Sequence, residues 1–400
     1  MLAHSPPLPL VLDYYEGRDI TTEDEEGIIL ALKKHDRVRR VRLDARVASL
    51  QKFFAAMDEE YTTLEYLVLA LEDNSTAMIF PESLQAPQLR HLRLQSFALP
   101  IGSRLLTTGV GLVTLNLVMV DPSTYFRPNT LLRLTSLIPQ LEILSISFIF
   151  SIPNRDVERQ LTRTPITGAP VTLPNLRLFQ FHGVSSYLET LLYWITAPRL
   201  EKLEIQFFNQ LTFFVPRLVH FMDLAESLRF DSVCITFSDK KVDVRVYLDG
   251  KSDIYALSIV IKCWHRDWQV SPMAQISNSL SHMFSTVEHL DLQHRVVGAR
   301  GESSEEHNEI DRTEWRKLLR PFSNVKTLRI ETGLVRELSH CLELKDGELP
   351  LEALPELQKL GYHESGDTGD AFNSFINARQ NTVRPVTLFR LKPMPFGVIH

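Results

Sequence analysis

One pattern constrains this chain more than any other feature. The template L-x-x-L-x-L, in which other aliphatic or aromatic residues can replace leucine, recurs from one end of the chain to the other. Strong copies begin at Val38, Leu64, Leu89, Leu112, Leu141, Leu176, Leu200, Val287, Val325 and Leu357, and weaker copies at Phe230, Ile254 and Val383. Because the 400 residues include 60 leucines, an apolar core can run through every copy. A short repeating period of this kind indicates a stacked repeat architecture rather than a single compact core.

A second signal precedes many of the copies. The residue two positions before the opening leucine is proline in five copies, namely Pro87, Pro139, Pro174, Pro198 and Pro355. Proline fixes its own φ and pushes the preceding residue toward extended geometry. We therefore expect each of these prolines to end the preceding segment just before a strand.

The segments between the templates carry helical spacing. Apolar residues occupy positions i, i+3, i+4 and i+7 in segments that begin at Leu50, Leu188, Leu218 and Trp315. Each of these is one apolar helix face. A short strand followed by such a helix cannot bury its apolar face alone, whereas stacked copies share a continuous core. The sequence predicts an α/β leucine-rich-repeat solenoid with degenerate, irregular repeats, a parallel sheet on the concave side and helices on the convex side.

The chain is predicted to have an N-terminal cap and a long array. Residues 1–36 are assigned to a cap segment and helix, because the acids of Glu23–Glu26 suit a helix N-terminus. Residues 37–400 are assigned to the irregular array.

Two interruptions of the array are expected. Around 230–263 the helical spacing fades and valines alternate at period two, which predicts a β-hairpin or meander. Around 298–312 the chain is polar and punctuated by glycine, which predicts a mobile loop.

Charge and cysteine usage exclude several classes of protein. The chain has 43 Lys and Arg against 49 Asp and Glu, a net charge of −6, which argues against a nucleic-acid binder that works by charge. The three cysteines lie far apart, so they predict a reducing compartment rather than a disulfide framework. No apolar run approaches the length of a membrane span, and prolines interrupt the apolar N-terminus. We expect a cytoplasmic or nuclear protein that binds neither membrane nor nucleic acid.

The usual catalytic motifs are not found. G-x-S-x-G and the P-loop do not occur, and Gly109-Val110-Gly111 lacks the third glycine of G-x-G-x-x-G. His289 and His294 are five residues apart, not the four that place two metal ligands on one helix face. We therefore expect no enzyme activity, cofactor or metal. The alternative, an enzyme with a site on the concave face or in the loop from Gly298, rests only on the number of histidines and carboxylates.

Strand geometry predicts a set of partner-binding residues. Template residues face the core, so the residues between them face the concave side. These candidates are Arg40, Arg42, Tyr66, His91, Arg93, Asn116, Gln180, His182, Lys202, Glu204, His289, Asp291, Arg329 and Glu331. Their mixed polar character suits a protein partner better than a polyanion. The alternative for any one of them is simply the solvated side of a sheet.

The first copy carries the one concentrated group of basic residues. It consists of Lys33, Lys34, Arg37, Arg39, Arg40 and Arg42. The group has two interpretations: a binding site for an acidic segment or phosphate, or the polar outer surface of a terminal cap.

Several segments along the chain carry a resemblance to a known family. They are PLPLVLDYY from Pro7, DRVRRVRL from Asp36, APQLRHLRL from Ala86, FFNQLTF from Phe207, DWQV from Asp267, EWRKLLRPFSNVKTLR from Glu314 and GELPLEALPEL from Gly347. In their order and flanking residues, these segments resemble the C-terminal leucine-rich-repeat region of F-box proteins from mushroom-forming fungi. The resemblance spans nearly all 400 residues.

The resemblance implies a function and also shows two departures. It implies capture of a protein substrate for a cullin-based ubiquitin ligase, with a ligase adaptor as a further partner if an F-box lies upstream. The ninth repeat position, usually Asn or Cys, holds Phe97, Val120, Ile149, Val184 and Phe208. No LPxEI-type F-box helix occurs in the sequence, so the F-box itself is expected to be missing. Two interpretations follow: an F-box-type receptor or truncated relative, and an F-box-less binding scaffold or decoy unconnected to ubiquitination.

Overall fold

The structure is a computed structural model that divides into two compact units. The first comprises Met1–Glu201 and His220–Ser227, and the second comprises Lys202–Val219 and Leu228–His400. The residues that the structure describes are 8–16, 21–72, 78–100, 102–119, 125–149, 170–208, 210, 212–225, 230–248, 254–263, 267–295, 312–344, 352–362, 370–380 and 382–390.

Parallel strands form the sheet of the first unit. In chain order its strands are β1 (Leu10–Tyr15), β2 (Val38–Ala45), β3 (Tyr66–Leu71), β4 (Met78–Ile79), β5 (His91–Gln95), β6 (Phe97–Ala98), β7 (Thr114–Met119), β8 (Ile143–Phe148), β9 (Val171–Thr172), β10 (Leu178–Gly183) and β11 (Ile195–Thr196). The main sheet has the order β1-β2-β3-β5-β7-β8-β10, and each neighbouring pair is parallel. Strands β4 and β6 form a small separate pair, as do β9 and β11.

In the part of the first unit that the structure describes, five helices connect strands. They are α1 (Thr22–Leu32), α2 (Val47–Ala56), α3 (Arg104–Thr108), α4 (Pro128–Ser136) and α5 (Ser185–Leu192). The helical spacing from Leu50 and from Leu188 is confirmed by α2 and α5. Ile195, the last residue of the Leu188 pattern, lies beyond the helix in β11.

The N-terminal cap holds a strand in addition to its predicted helix. Strand β1 pairs with β2, so residues 10–15 extend the sheet. Helix α1 begins with a capping box: the Thr21 backbone N–H donates to Asp24 Oδ2 at 2.9 Å, and the Asp24 N–H donates to Thr21 Oγ1 at 3.3 Å. This reciprocal pair satisfies donors that the first helical turn leaves open, which confirms the helix start at the acidic run.

The opening residue of each strong copy is buried and follows a tight turn. All ten of these residues are at most 2% exposed. In the five proline-led copies, the N–H of the opening leucine donates to the carbonyl three residues earlier, as Leu89 does to Ala86 at 3.0 Å. Proline therefore occupies the second position of a β-turn, where its fixed φ is favourable. Among the weaker copies Phe230 is buried, but Ile254 and Val383 are 70% and 94% exposed, so the prediction is wrong at those two opening positions.

The sheet of the second unit includes an antiparallel section. Its strands are β12 (Lys202–Phe207), β13 (Ser232–Ser238), β14 (Lys241–Tyr247), β15 (Tyr255–Lys262), β16 (His289–Arg295), β17 (Thr327–Ile330), β18 (Lys359–Tyr362) and β19 (Thr387–Arg390). The order is β12-β15-β14-β13-β16-β17-β18-β19. Strand β14 is antiparallel to both β13 and β15, whereas β12 with β15 and β13 with β16 are parallel. The region predicted as a hairpin or meander is therefore a three-strand meander within the sheet, and the prediction of a parallel sheet fails at β14.

Among the described residues after β12 there are six helices. They are α6 (Pro216–Asp223), α7 (Asp267–Ser279), α8 (Ser281–Phe284), α9 (Arg312–Leu319), α10 (Val335–Leu342) and α11 (Asn373–Gln380), and a 3-10 turn at Thr332–Leu334 precedes α10. The helical spacing from Leu218 and from Trp315 is confirmed by α6 and α9. The predicted mobile loop around 298–312 lies outside the described residues, apart from Arg312.

A buried arginine holds the turn before β18. The Arg379 side chain is fully buried, and its guanidinium donates to the carbonyls of Ala353, Leu354, Pro355 and Leu357 at 3.2–3.4 Å. Leu354 has a φ of 51°, in the left-handed region that a leucine seldom occupies. The arginine thus stabilises the proline-led turn that starts the last strong copy.

We expect Arg379→Met to destabilise the protein by about 2 kcal/mol, because it leaves buried carbonyls without their donor. Denaturant unfolding followed by circular dichroism measures the loss. Arg336→Met, at an exposed position of α10, is the matched control and should change the free energy of unfolding by less than about 0.5 kcal/mol. Equal effects of the two substitutions would contradict the role assigned to Arg379.

Candidate interaction faces

The side of each sheet that carries the non-template residues is the candidate site. In the first unit, the strand register arranges these residues in rows that run across the strands. We call this side the first polar face. The candidates placed there are Arg40, Tyr66 and His91 in one row, Arg42, Arg93, Asn116 and Gln180 in the next, and His182 in a third. Because side chains alternate along a strand, burying the template residues forces these residues outward.

Stacked contacts join the first row. The Arg40 guanidinium lies 4.4 Å from the centroid of the Tyr66 ring, and the Tyr66 and His91 rings are 5.8 Å apart. His91 Nδ1 lies 3.0 Å from Thr114 Oγ1. The contacts therefore run across four neighbouring strands and hold these side chains in defined orientations.

Strand β1 adds contacts to the second row. The Arg42 guanidinium lies 4.5 Å from the Tyr15 ring centroid, and Arg42 Nε lies 4.0 Å from Asp13 Oδ1. Burial raises the pKa of Asp44, and the positive charges of Arg42 and Arg93 oppose that shift. The cationic side chains of this face thus lie beside only a few carboxylates.

The far side of the face is less charged. His182 Nδ1 lies 3.2 Å from Ser147 Oγ, so these two side chains can hydrogen-bond. The buried Asn116 Oδ1 has no hydrogen-bond partner within the described chain. This side offers polar groups rather than charges to a partner.

The second unit has its own polar face, on which a lysine, a glutamate and a tyrosine meet. Lys202 Nζ lies 2.7 Å from Glu204 Oε1, and the Tyr255 hydroxyl donates to the same oxygen at 2.8 Å. Lys202 Nζ also lies 4.1 Å from the Tyr255 ring centroid. Burial is the largest influence on the Lys202 pKa and acts to lower it, but Glu204 and Tyr255 together raise that pKa overall. We call this side the second polar face.

The meander contributes a further ion pair to this face. Arg245 lies 2.8 Å from Asp243 Oδ2, and the Ser258 hydroxyl donates to Asp243 Oδ1 at 3.4 Å. The Arg245 guanidinium also lies 5.5 Å from the Tyr255 ring centroid. The two groups on this face are therefore linked through Tyr255.

A cysteine, a histidine and an aspartate share the middle of the second polar face. Cys234 pairs with Asp291 across β13 and β16, and His289 lies two residues before Asp291. Burial is the main cause that raises the Cys234 pKa to about 11. The thiol is thus protonated near neutral pH and does not supply the thiolate that nucleophilic catalysis requires.

Strands β16 and β17, with the residue just after β17, hold the remaining candidates. Asp291 Oδ1 lies 3.9 Å from Arg329 Nε. Burial raises the pKa of Asp291, against the opposing charges of Arg329 and His289. Glu331 lies just beyond β17, and its carboxylate accepts the backbone N–H of His294 at 2.7 Å. Glu331 therefore binds the neighbouring strand, a structural contact that the sequence does not reveal.

Several residues of these faces are absent from the predicted set. One signal could have found the three residues of β14, because the residues between the buried valines of that strand must face the opposite side. The missed residues are Asp13 and Tyr15 of β1, Asp44 of β2, Asp243, Arg245 and Tyr247 of β14, and Tyr255 and Ser258 of β15.

The described ranges hold neither a candidate metal cluster nor a candidate membrane span. No group of three or more His, Cys, Asp or Glu side chains there could hold a metal ion. No helix in the same ranges is long and apolar enough to cross a membrane.

Comparison with known proteins adds little to the architecture. No protein-family model matches the chain, and no curated protein matches it. A similar solved structure is the leucine-rich repeat-containing protein LegL7 from Legionella pneumophila, with 11% identity and a TM-score of 0.31 over 93% of this chain and 97% of that chain. The chain's own strands and core define its class, an α/β protein with mostly parallel sheets built from copies that resemble leucine-rich repeats.

We expect Asp291→Asn to be more stable than the native chain at pH 7. The pKa of Asp291 is higher in the folded state than the unfolded value of about 3.9, so folding disfavours the ionised carboxylate. The resulting loss of stability is fully present above the folded pKa. The difference should vanish as the pH falls below about 4. Urea unfolding at several pH values measures it.

Glu288→Gln is the control of opposite sign. The hydrogen bond from Lys326 is the main cause that lowers the Glu288 pKa, with Nζ and Oε1 2.6 Å apart. Glu288 therefore contributes stability above its unfolded pKa, and this contribution is lost as the pH falls through the folded pKa. Its removal should destabilise the chain at pH 7. A stability gain for Glu288→Gln or a loss for Asp291→Asn would contradict the assignment.

Proposed function

We propose that the protein is a non-catalytic interaction module that binds a protein partner through its polar sheet faces. The main support is the kind of side chain on the first polar face and the stacking that orients these side chains. Arginine, tyrosine and histidine side chains stand on the open side of the sheet and are oriented by stacking, as Arg40, Tyr66 and His91 show. Aromatic residues and arginine are the residues enriched at the centres of protein interfaces.

The chemistry of the faces favours binding over catalysis. On the second polar face the charges mostly satisfy one another, as in the pairs Lys202–Glu204 and Arg245–Asp243. Cys234 pairs with Arg245 of β14 on one side and with Asp291 of β16 on the other. Burial raises the pKa of its thiol. Groups held in this way suit recognition of a complementary surface.

The finer proposal is that the chain captures substrates as an F-box-type receptor of a cullin-based ubiquitin ligase, or is a truncated relative of one. Its support is the resemblance of the segments quoted above, such as APQLRHLRL from Ala86. The alternative is a binding scaffold or decoy unconnected to ubiquitination. We place the protein in the cytoplasm or nucleus, since its three cysteines are free thiols.

Charge reversal on the faces tests the binding proposal. We expect Arg93→Glu or Arg329→Glu to reduce recovery of at least one partner by about tenfold in quantitative affinity purification, because each puts a repulsive charge into the interface. Arg133→Glu on α4 and Arg336→Glu on α10 are matched controls at exposed helix positions and should leave recovery unchanged. The binding proposal is wrong if both face reversals leave every partner unchanged.

The same purification tests the ligase assignment separately. We expect a cullin or its adaptor subunit among the proteins recovered with the full chain. Their absence, with a partner that still depends on Arg93 or Arg329, would remove the ligase assignment and leave the interaction module.

A further inference from the structure

We infer that the part of the first polar face formed by β2, β3 and β5 binds an acidic segment of a protein partner, with an aliphatic side chain seated between the acids. The inference rests on the proposed function and specifies the kind of partner. We call this part the arginine patch and define it by Arg40, Arg42 and Arg93 with Tyr66, Val68 and His91.

The register builds the patch as two rows of three residues. The rows are Arg40–Tyr66–His91 and Arg42–Val68–Arg93. Neighbouring strands lie about 4.8 Å apart, so the backbones of β2 and β5 are separated by about 9.6 Å. Cationic or titratable side chains thus stand on both sides of a central column made of Tyr66 and Val68.

Among the described residues, two of the three arginines of the patch lack a carboxylate partner, whereas Arg42 has Asp13 Oδ1 at 4.0 Å. Within the described chain, no carboxylate lies within ion-pair distance of Arg40 or Arg93, and both are exposed. On the second polar face Lys202, Arg245 and Arg329 each have a carboxylate within 3.9 Å. The guanidinium groups of Arg40 and Arg93 are therefore available to an incoming anion. The cationic side chains of the second polar face already have carboxylate partners.

Aromatic rings orient two of the guanidinium groups in advance. Arg40 stacks on Tyr66 and Arg42 stacks on Tyr15, at 4.4 and 4.5 Å from the ring centroids. A planar guanidinium held by a ring can bind a carboxylate through two parallel hydrogen bonds. Because the arginines are already ordered, binding loses less side-chain entropy than it would at free arginines.

The centre and edge of the patch define the ligand further. Val68 is only 8% exposed and Tyr66 is half-buried, so the apolar surface between the arginines is small and has room for a single aliphatic side chain. Asp13 flanks the patch at β1, and Asp44 lies in the next row beside Ala70. An anion that extends past the arginines would meet these acids.

This limited extent favours an acidic peptide over a nucleic acid. Nucleic-acid affinity depends on many phosphate contacts, whereas the patch offers three arginines bounded by two aspartates in a chain of net charge −6. A short peptide with glutamates on either side of one leucine matches both the charge and the small apolar surface.

A peptide-binding measurement on the full chain tests the inference. The probe is a fluorescein-labelled nine-residue peptide with glutamates flanking a central leucine, and the reference probe carries glutamine in place of every glutamate. Anisotropy titrations compare the native chain with Arg40→Glu/Arg93→Glu, with Arg40→Lys/Arg93→Lys, and with the control Arg104→Glu/Arg133→Glu on α3 and α4. Circular dichroism melting verifies that each variant is folded.

We expect the native chain to bind the glutamate peptide about tenfold more tightly than the glutamine peptide, and the double reversal to abolish this preference. The lysine pair should retain only part of the preference, since it keeps the charge and loses bidentate bonding. The helix control should behave as the native chain. The lysine pair also keeps the test decisive if the reversal fails to fold.

Three results would overturn the inference. They are equal binding of the two peptides, an unchanged preference in both Arg40/Arg93 variants, and equally effective competition by a nine-nucleotide single-stranded DNA. If one of these occurs while Arg329→Glu still abolishes recovery of a cellular partner, the proposed function stands and only the acidic-segment inference fails. The peptide could instead bind as expected while Arg93→Glu and Arg329→Glu leave the recovery of every cellular partner unchanged. That pair of results would reject the proposed function.

Discussion

The structure depends on one constraint: no copy of the template can bury its apolar side chains without its neighbours. Val41 and Leu43 of β2 pack in the core only because β1 and β3 pair with that strand in register, and all inward template residues of β2 and β3 are fully buried. A slip of one residue would move the whole set to the outer side. The same alternation determines which residues stand on the polar faces, so the core and the candidate sites have one cause.

The local parts of this fold could be predicted from the sequence. In five copies a proline-led β-turn places the opening leucine two residues before its strand. Val287 and Val325 follow the same kind of turn without proline, and their N–H groups donate to the carbonyls of Phe284 and Phe322. Helical stripes predict α2 and α9 because burial selects residues along one face. Ile254 and Val383 match the template but lie exposed, since an isolated match carries no information on the turn before it.

Pairing between distant strands could not be predicted in the same way. Chain order alone suggests β13 as the neighbour of β12, whereas β15 occupies that place and β14 runs antiparallel. The contacts among Lys202, Glu204 and Tyr255 therefore join residues about fifty positions apart, and alternation within one strand does not reveal them. For the first polar face, by contrast, neighbouring strands follow one another in the sequence, and alternation placed Arg40, Tyr66 and His91 on one side. What it could not supply is the stacking that orients them.

The side of the sheet opposite the core is the side that we propose meets a partner. Site-specific photo-cross-linking tests this proposal most directly, with the photoreactive residue at Gln95 of β5, on the first polar face, or at Ser136 of α4, on an exposed helix position. We expect cross-links to a captured partner to form from position 95 and not from position 136. Cross-links that form only from position 136 would contradict the proposal.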